Sequence, residues 1–360
     1  LRIGIDATLV RPDRLTGVER YALSLLAQLA RLAPGEIVLF TRTGTPEALR
    51  ALPVEQRASP FRRRMATEQL WLPLAAARAR VDLLHSLAFP TPPLWRGRSL
   101  LTVHDATPWL HPDAMSTGMR VYYLPLFAQA LRRAEAVITV SEAARQDLAS
   151  AAGVPLDRIR VTRNGVDPLF FEARPAPGPR TPYLLAVGTI EPRKNLPALL
   201  EAFRLLRREG RDLELVVAGR RGWAASLPLG ELAPHVRLVG SLPDRELAER
   251  YAGAACFVLP SLYEGFGLPL AEAMAAGARA VASDIAALRE VGGDAVRYAP
   301  PDRPAEIARA IATALDDREG SQRLVEKARA RARRFRWEAT AEATLALYRE
   351  IADRPRARRR

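Results

Sequence analysis

The chain has 360 residues, enough for two domains that each bury a core, and its 48% hydrophobic and 26% charged residues are ordinary globular composition. No apolar run approaches the roughly 20 residues of a membrane-spanning helix, which argues against an integral membrane protein. The net charge of +14 is carried by residues 1–175 and 320–360, with 176–319 close to neutral, and no aromatic-interleaved basic stripe, zinc-finger spacing or recognition-helix pattern accompanies it, so no nucleic-acid partner is expected.

From the first residue the chain runs into a strand-like pattern, without the basic and apolar regions of an export signal, and a cytoplasmic location is expected. Strands are predicted at 2–6, 37–40, 83–85, 100–104 and 136–140, with an amphipathic helix at 19–32. This rhythm reads as β-α-β units on a parallel sheet. Arg62-Arg63-Arg64 leads into an amphipathic stretch at 65–80, and Met115, Met119, Tyr122 and Tyr123 have the character of an adaptable apolar groove. Both suit a lipid-linked saccharide at the inner face of a membrane; core packing explains the aromatics equally well. A basic face resting on an anionic membrane, or a plain solvated surface, each fits the charge.

Residues 172–182 hold four prolines and a glycine, which no regular element tolerates. We therefore read 1–172 as an N-terminal acceptor-side domain, 173–182 as the linker, 183–335 as a second Rossmann-like domain and 336–360 as a crossover helix with a basic tail. In the second domain strands are predicted at 183–188, 213–219, 236–239, 257–260 and 280–282, with helices at 196–209, 246–252 and 269–276. Cys256, the single cysteine, lies in an apolar run and reads as a core thiol. A long helical pattern from 323 to 351 is interrupted near Phe335-Arg336-Trp337, with Trp337 and Tyr348 as apolar anchors. Two open α/β sheets place their ligand sites at the carboxyl ends of their strands, so the site is expected in the crevice they share.

The most specific chemical signal is Tyr263-Glu264-Gly265-Phe266-Gly267-Leu268-Pro269, followed by Glu272 and Gly277. Pro269 suits the first turn of a helix and Gly277 its C-terminal cap, so the loop from Gly265 to Leu268 presents backbone N–H groups at a helix start. Glu264 and Glu272 flank that loop and can accept hydrogen bonds from hydroxyls. The second signal is Gly188-Thr189-Ile190-Glu191-Pro192-Arg193-Lys194-Asn195-Leu196-Pro197, in which Asn195 reads as an N-cap and Arg193 and Lys194 stand at a helix mouth suited to a diphosphate. Of 54 basic residues only Lys194 and Lys327 are lysine, which singles out Lys194. His104 follows an apolar run and enters a loop, where a site role outweighs a structural one.

These segments, with Val103-His104-Asp105, Thr16-Gly17-Val18-Glu19-Arg20 and Asn164-Gly165-Val166-Asp167, resemble in order the retaining glycosyltransferase family 4, and most nearly its bacterial polysaccharide and O-antigen mannosyltransferases. The resemblance implies the GT-B fold: two Rossmann-like doubly wound domains facing across a cleft, with a C-terminal helix returning to the N-terminal domain. It implies that Glu264 contacts the transferred sugar, Glu272 the ribose, Arg193 and Lys194 the diphosphate, and the amides of Gly265, Phe266, Gly267 and Leu268 the sugar or phosphate. Gly17 matches the small residue of the first strand-helix turn, and His104 would lie by the reacting face of the sugar. Many members carry Arg after the strand-ending glycine where this chain has Thr189. No Asp-x-Asp occurs, so neither metal nor other cofactor is expected, and protein cations replace the metal. The implied reaction is retaining transfer of a hexose, first mannose from GDP-mannose, to a saccharide or lipid-linked saccharide. A UDP-hexose donor and a non-catalytic sugar-nucleotide-binding protein are the alternatives. A nicotinamide enzyme is disfavoured because neither domain opens with Gly-x-Gly-x-x-Gly.

Overall fold

A computed structural model describes residues 1–11, 16–111, 117–176, 181–222 and 227–355, apart from the side chains of Thr117 and Met119. Met115 and the side chain of Met119, residues 177–180 of the expected linker and the tail 356–360 thus lie outside the described residues. The chain divides into two compact units, Leu1–Gly165 with Trp337–Arg360, and Val166–Arg336.

The first unit carries a seven-stranded sheet with the order β3-β2-β1-β4-β5-β6-β7, every pairing parallel. The strands are β1 (Ile3–Asp6), β2 (Ile37–Arg42), β3 (Glu55–Ser59), β4 (Leu83–Ser86), β5 (Arg98–Thr102), β6 (Ala136–Thr139) and β7 (Ile159–Val161). All four residues of β1, β4 and β6 are buried. Strands buried at every position belong to a parallel sheet covered on both faces. Helix Gly17–Leu32 turns Tyr21, Ala22, Leu25, Leu26 and Leu29 inward, a 3.6-residue stripe. Its start is fixed by a capping box in which the Thr16 side chain and the Glu19 carboxylate satisfy each other's backbone.

The second unit repeats the plan with six parallel strands in the order β10-β9-β8-β11-β12-β13. They are β8 (Tyr183–Val187), β9 (Glu214–Ala218), β10 (Val236–Gly240), β11 (Cys256–Leu259), β12 (Ala280–Ser283) and β13 (Arg297–Ala299). Leu184, Phe203, Val217, Val258 and Ile311 belong to the core on one face of this sheet, beneath helices Leu196–Arg208 and Pro304–Asp316. Strand order reverses between β1 and β4 in one sheet and between β8 and β11 in the other. Such reversals leave a crevice at the carboxyl ends of the two strands concerned.

One difference from the sequence expectation has a plain cause. The divide between units falls at Gly165/Val166, because the helix Pro168–Phe171 packs with the second unit, where Phe170 stacks edge-on against Tyr251 at 6.0 Å. The long C-terminal pattern breaks where the sequence interrupts it, near Phe335-Arg336-Trp337, into helices Arg318–Ala332 in the second unit and Trp337–Asp353 in the first. The latter packs along helix Gly17–Leu32, with the Trp337 ring 5.9 Å from Tyr21 and the Tyr348 hydroxyl 2.6 Å from Nδ1 of His85 on β4.

Candidate functional site

In the second unit, the loops that leave β8 and β11 meet at the reversal point. The β8 loop makes a short 3-10 turn, Pro192–Lys194, before helix Leu196–Arg208. Asn195 stands between them in the left-handed region (φ 54°), and its side chain does not cap the helix as expected. Nδ2 instead donates to the carbonyls of Pro260 (3.0 Å) and Pro301 (2.7 Å), while Leu262 N–H donates to the Arg193 carbonyl at 2.8 Å. Asn195 thereby ties the β8 loop to the β11 loop, a task for which a short amide in left-handed backbone is suited.

That tie brings Arg193, Lys194 and Glu264 together. Lys194 Nζ lies 2.5 Å from Glu264 Oε1, Arg193 Nη1 lies 3.0 Å from Oε2, and Ser261 Oγ donates to Oε1 at 2.7 Å. Arg193 Nε also pairs with Glu191 at 2.5 Å. Lys194 and Glu264 are both buried. Burial alone would raise the Glu264 pKa, but Lys194, Arg193 and the Ser261 hydroxyl outweigh it and hold the carboxyl at about 2. Burial lowers the pKa of Lys194, with the Glu264 charge working against it. The alkyl chain of Lys194 borders a small cavity lined also by Ala186, Gly188, Leu196, Val258 and Pro260, at the ends of β8 and β11.

The loop after Glu264 also follows from local chemistry. Gly267 has φ +94°, and a Cβ there would fall 2.3 Å from Leu288 Cδ2, so the turn into helix Leu268–Ala275 requires glycine. Pro269 occupies the first turn. Phe266 turns away from the loop and stacks edge-on against Phe335 at 5.4 Å, which leaves its backbone as the part available to a ligand. Glu272 is buried on that helix and accepts from the Tyr251 hydroxyl at 3.1 Å. Tyr251, Ser261 and Glu191 take part here without having been assigned by the sequence reading. Ser261 lies two residues before the Tyr263–Pro269 segment, and Tyr251 lies on a helix whose pattern carries no chemical signal.

Gly17 and His104 belong to the first unit. Gly17 opens helix Gly17–Leu32, and a Cβ there would meet nothing within 4 Å. His104 follows β5; its Nε2 lies 2.9 Å from the Leu87 carbonyl and its ring stands edge-on to Tyr21 at 4.6 Å. A carbonyl only accepts, so Nε2 carries the proton and Nδ1 is the basic nitrogen of the neutral ring. Burial lowers the His104 pKa, against the pull of the Leu87 carbonyl and Asp105. Behind it a buried chain runs from Tyr348 through His85 and Thr102 to Tyr21, with His85 Nε2 2.8 Å from Thr102 Oγ1.

Comparison with known proteins now gives this geometry a context. The family model "Glycosyl transferases group 1" matches residues 171–331, and "Glycosyltransferase Family 4" matches residues 15–170. O-antigen chain mannosyltransferase B of Escherichia coli is 32% identical over 273 residues, 70% of each chain. O-antigen chain mannosyltransferase RfbU of Salmonella typhimurium is 32% identical over 216 residues, 59% of each chain. Among solved structures, sucrose-phosphate synthase of Thermosynechococcus elongatus superposes with a TM-score of 0.75 at 22% identity, covering 97% of this chain and 98% of that one.

Proposed function

Since the chain belongs to the group 1, family 4 glycosyltransferases and shares their GT-B fold, we propose that it transfers mannose from GDP-mannose, with retention and without a metal, to a saccharide or lipid-linked saccharide of a surface polysaccharide. The observation that carries this reading is the Lys194–Glu264–Arg193 cluster at the reversal point of the second sheet. A leaving diphosphate needs positive charge that is already in position, and a lysine beside an arginine supplies it in a desolvated setting. Glu264, kept ionised, accepts hydrogen bonds from sugar hydroxyls as the donor arrives and the cations turn to its phosphates. The acceptor hydroxyl enters on the leaving-group face and passes its proton to the departing phosphate, so no protein nucleophile is required. His104, with Nδ1 basic, contacts the sugar. Glu272 holds the ribose, and the amides of Gly265 to Leu268 meet the sugar or phosphate. The mannosyl donor is carried over from the two O-antigen relatives.

Peripheral contact with an anionic membrane belongs to the same proposal. Among the described residues no helix is long and apolar enough to cross a membrane. Phe61, Met65, Leu70 and Leu74 are exposed beside Arg62 and Arg63, which suits a surface-lying attachment.

The test is a titration in EDTA with GDP-mannose, UDP-glucose, UDP-N-acetylglucosamine and NAD, following thermal stabilisation and slow release of nucleoside diphosphate. A ligand of the folded state raises the melting temperature. Stabilisation and hydrolysis by GDP-mannose alone is expected. A response to UDP-glucose instead would reassign the donor, and a response to NAD alone would overturn the site.

A further inference from the structure

His104 makes one hydrogen bond through its ring, and one is too few to fix an imidazole. Nε2 donates to the Leu87 carbonyl at 2.9 Å, while Nδ1 has no partner among the described residues and is not sealed from solvent. The Cβ–Cγ torsion of histidine is broad and roughly two-fold, so a ring held at one atom can rock about it or turn over. A half-turn would put Cε1 where Nε2 now stands and forfeit the bond. Whatever prevents this must press on the ring itself.

Tyr21 is placed to do so. Its ring meets His104 edge-on, with centroids 4.6 Å apart and planes at 84°. Tyr21 is fully buried on helix Gly17–Leu32, so close packing leaves it no room to follow a turning neighbour. Trp337, buried at the start of the last helix, packs against the same tyrosine ring at 5.9 Å and 66°. The Tyr21 hydroxyl adds only a 3.4 Å contact to Thr102 Oγ1, long for a bond between two hydroxyls. Ring packing, more than the hydroxyl, therefore holds Tyr21. Thr102 ends β5 two residues before His104 and is fixed in turn by His85 Nε2 at 2.8 Å, with Tyr348 of the last helix on the far nitrogen of His85.

We propose that Tyr21, backed by Trp337, is a positioning residue for His104. The two rings and the Leu87 carbonyl hold the imidazole in one orientation and one tautomer, with Nε2 protonated and Nδ1 left for a ligand. A contact of this kind acts on rate through geometry, since a small misplacement of a reacting group is costly. That His104 meets a sugar rests on the transferase reading; that Tyr21 fixes its ring does not.

The full chain, isotope-labelled in its four histidines, reports the tautomer of each ring through two-bond proton–nitrogen correlations. Spectra are recorded at about pH 8, where the imidazoles are neutral, and loss of a signal in His104→Asn assigns that residue. Wild type should show His104 as the Nε2–H tautomer alone. Tyr21→Leu should show both tautomers in exchange, and Tyr21→Phe, which keeps the ring edge, should restore the single one. Trp337→Leu is the second variant should Tyr21→Leu fail to fold, and both tautomers are again expected. A role in packing alone would lower the melting temperature of the Leu variants and leave the tautomer unchanged. Mixed tautomers in wild type, or a single one in the folded Leu variants, would overturn the assignment. Release of nucleoside diphosphate from GDP-mannose reports on the transferase reading separately. Tyr21→Leu should lower its kcat about tenfold or more and change KM for the donor less than about threefold. The expected tautomers with an unchanged kcat would keep the positioning role and remove His104 from the sugar. No release by wild type would remove the transferase reading, and the tautomers would still decide the role of Tyr21.

Discussion

Glu264 keeps its charge against burial because Lys194, Arg193 and Ser261 converge on it, and each of the four is thereby held in place for the others. Lys194→Ala removes the charge for the leaving diphosphate and strands a buried carboxylate. Turnover should fall by about 10²–10³-fold, as for loss of one preorganised donor, with acceptor affinity much less affected. A steady-state comparison at saturating donor checks this, and equal turnover would sink the assignment. The same variant should lose about 3–5 kcal/mol of stability, since one partner of a buried pair is left alone. A second prediction concerns acid. The folded pKa of Glu264 is about 2, below its ordinary value of 4.5. Its contribution is thus fully present above pH about 4.5 and lost as pH falls from there through about 2. Denaturant melts of wild type and Glu264→Gln across that window should converge as pH drops; parallel curves would show that the carboxyl is not held ionised.

At the scale of elements, glycine decides how closely the strand ends can approach. Gly219, just after β9, has φ +144°, and a Cβ there would fall 2.0 Å from the Gly188 carbonyl oxygen, backbone against backbone. Gly219→Ala cannot be relieved by a rotamer change and should cost about 3 kcal/mol or more, a drop of roughly 6–12 °C at this size. A calorimetric melt with an unshifted second-unit transition would contradict the close crossing. The same scale shows what could be read in advance. Strands with continuous apolar runs, such as β2, β8 and β11, declare themselves, whereas β3, β7 and β13 do not, and each of these lies at a sheet edge. In β3, Glu55-Gln56-Arg57-Ala58-Ser59 is held by pairing to β2 alone and only Ser59 is buried, so the strand carries no hydrophobic signature. At the site, Arg193, Lys194 and Glu264 were legible because charged residues beside Gly and Pro in a loop have few structural uses. The left-handed Asn195 was not: its side chain serves carbonyls 65 and 106 residues away, and spacing along the chain cannot show such a partner.

At the scale of the molecule, the last helix decides whether the first unit is complete. Both anchors read from the sequence, Trp337 and Tyr348, are buried, together with Leu345, Leu347 and Ile351. Full burial of one such side chain is worth about 1.5–3 kcal/mol, so five amount to the order of the 5–15 kcal/mol that stabilises a whole domain. The polar contacts are equally distant in sequence. Tyr348 reaches His85 on β4, Thr340 donates to the Arg163 carbonyl at 2.6 Å, and Arg98 Nη1 binds the Ala352 carbonyl at 2.8 Å. A chain ending at Arg336 should therefore lose the cooperative transition of the first unit and keep that of the second, whose residues run from Val166 to Arg336. Tyr348→Phe isolates one contact from this sum. It leaves the His85 ring nitrogen buried without its partner, and burial already holds the His85 pKa down at about 3, so the ring cannot recover the loss by protonation near neutral pH. The expected loss is about 1–3 kcal/mol, confined to the first transition in scanning calorimetry. If the truncated chain still shows both transitions at their original temperatures, the helix is an ornament on a unit that folds without it, and the division of the chain must be redrawn.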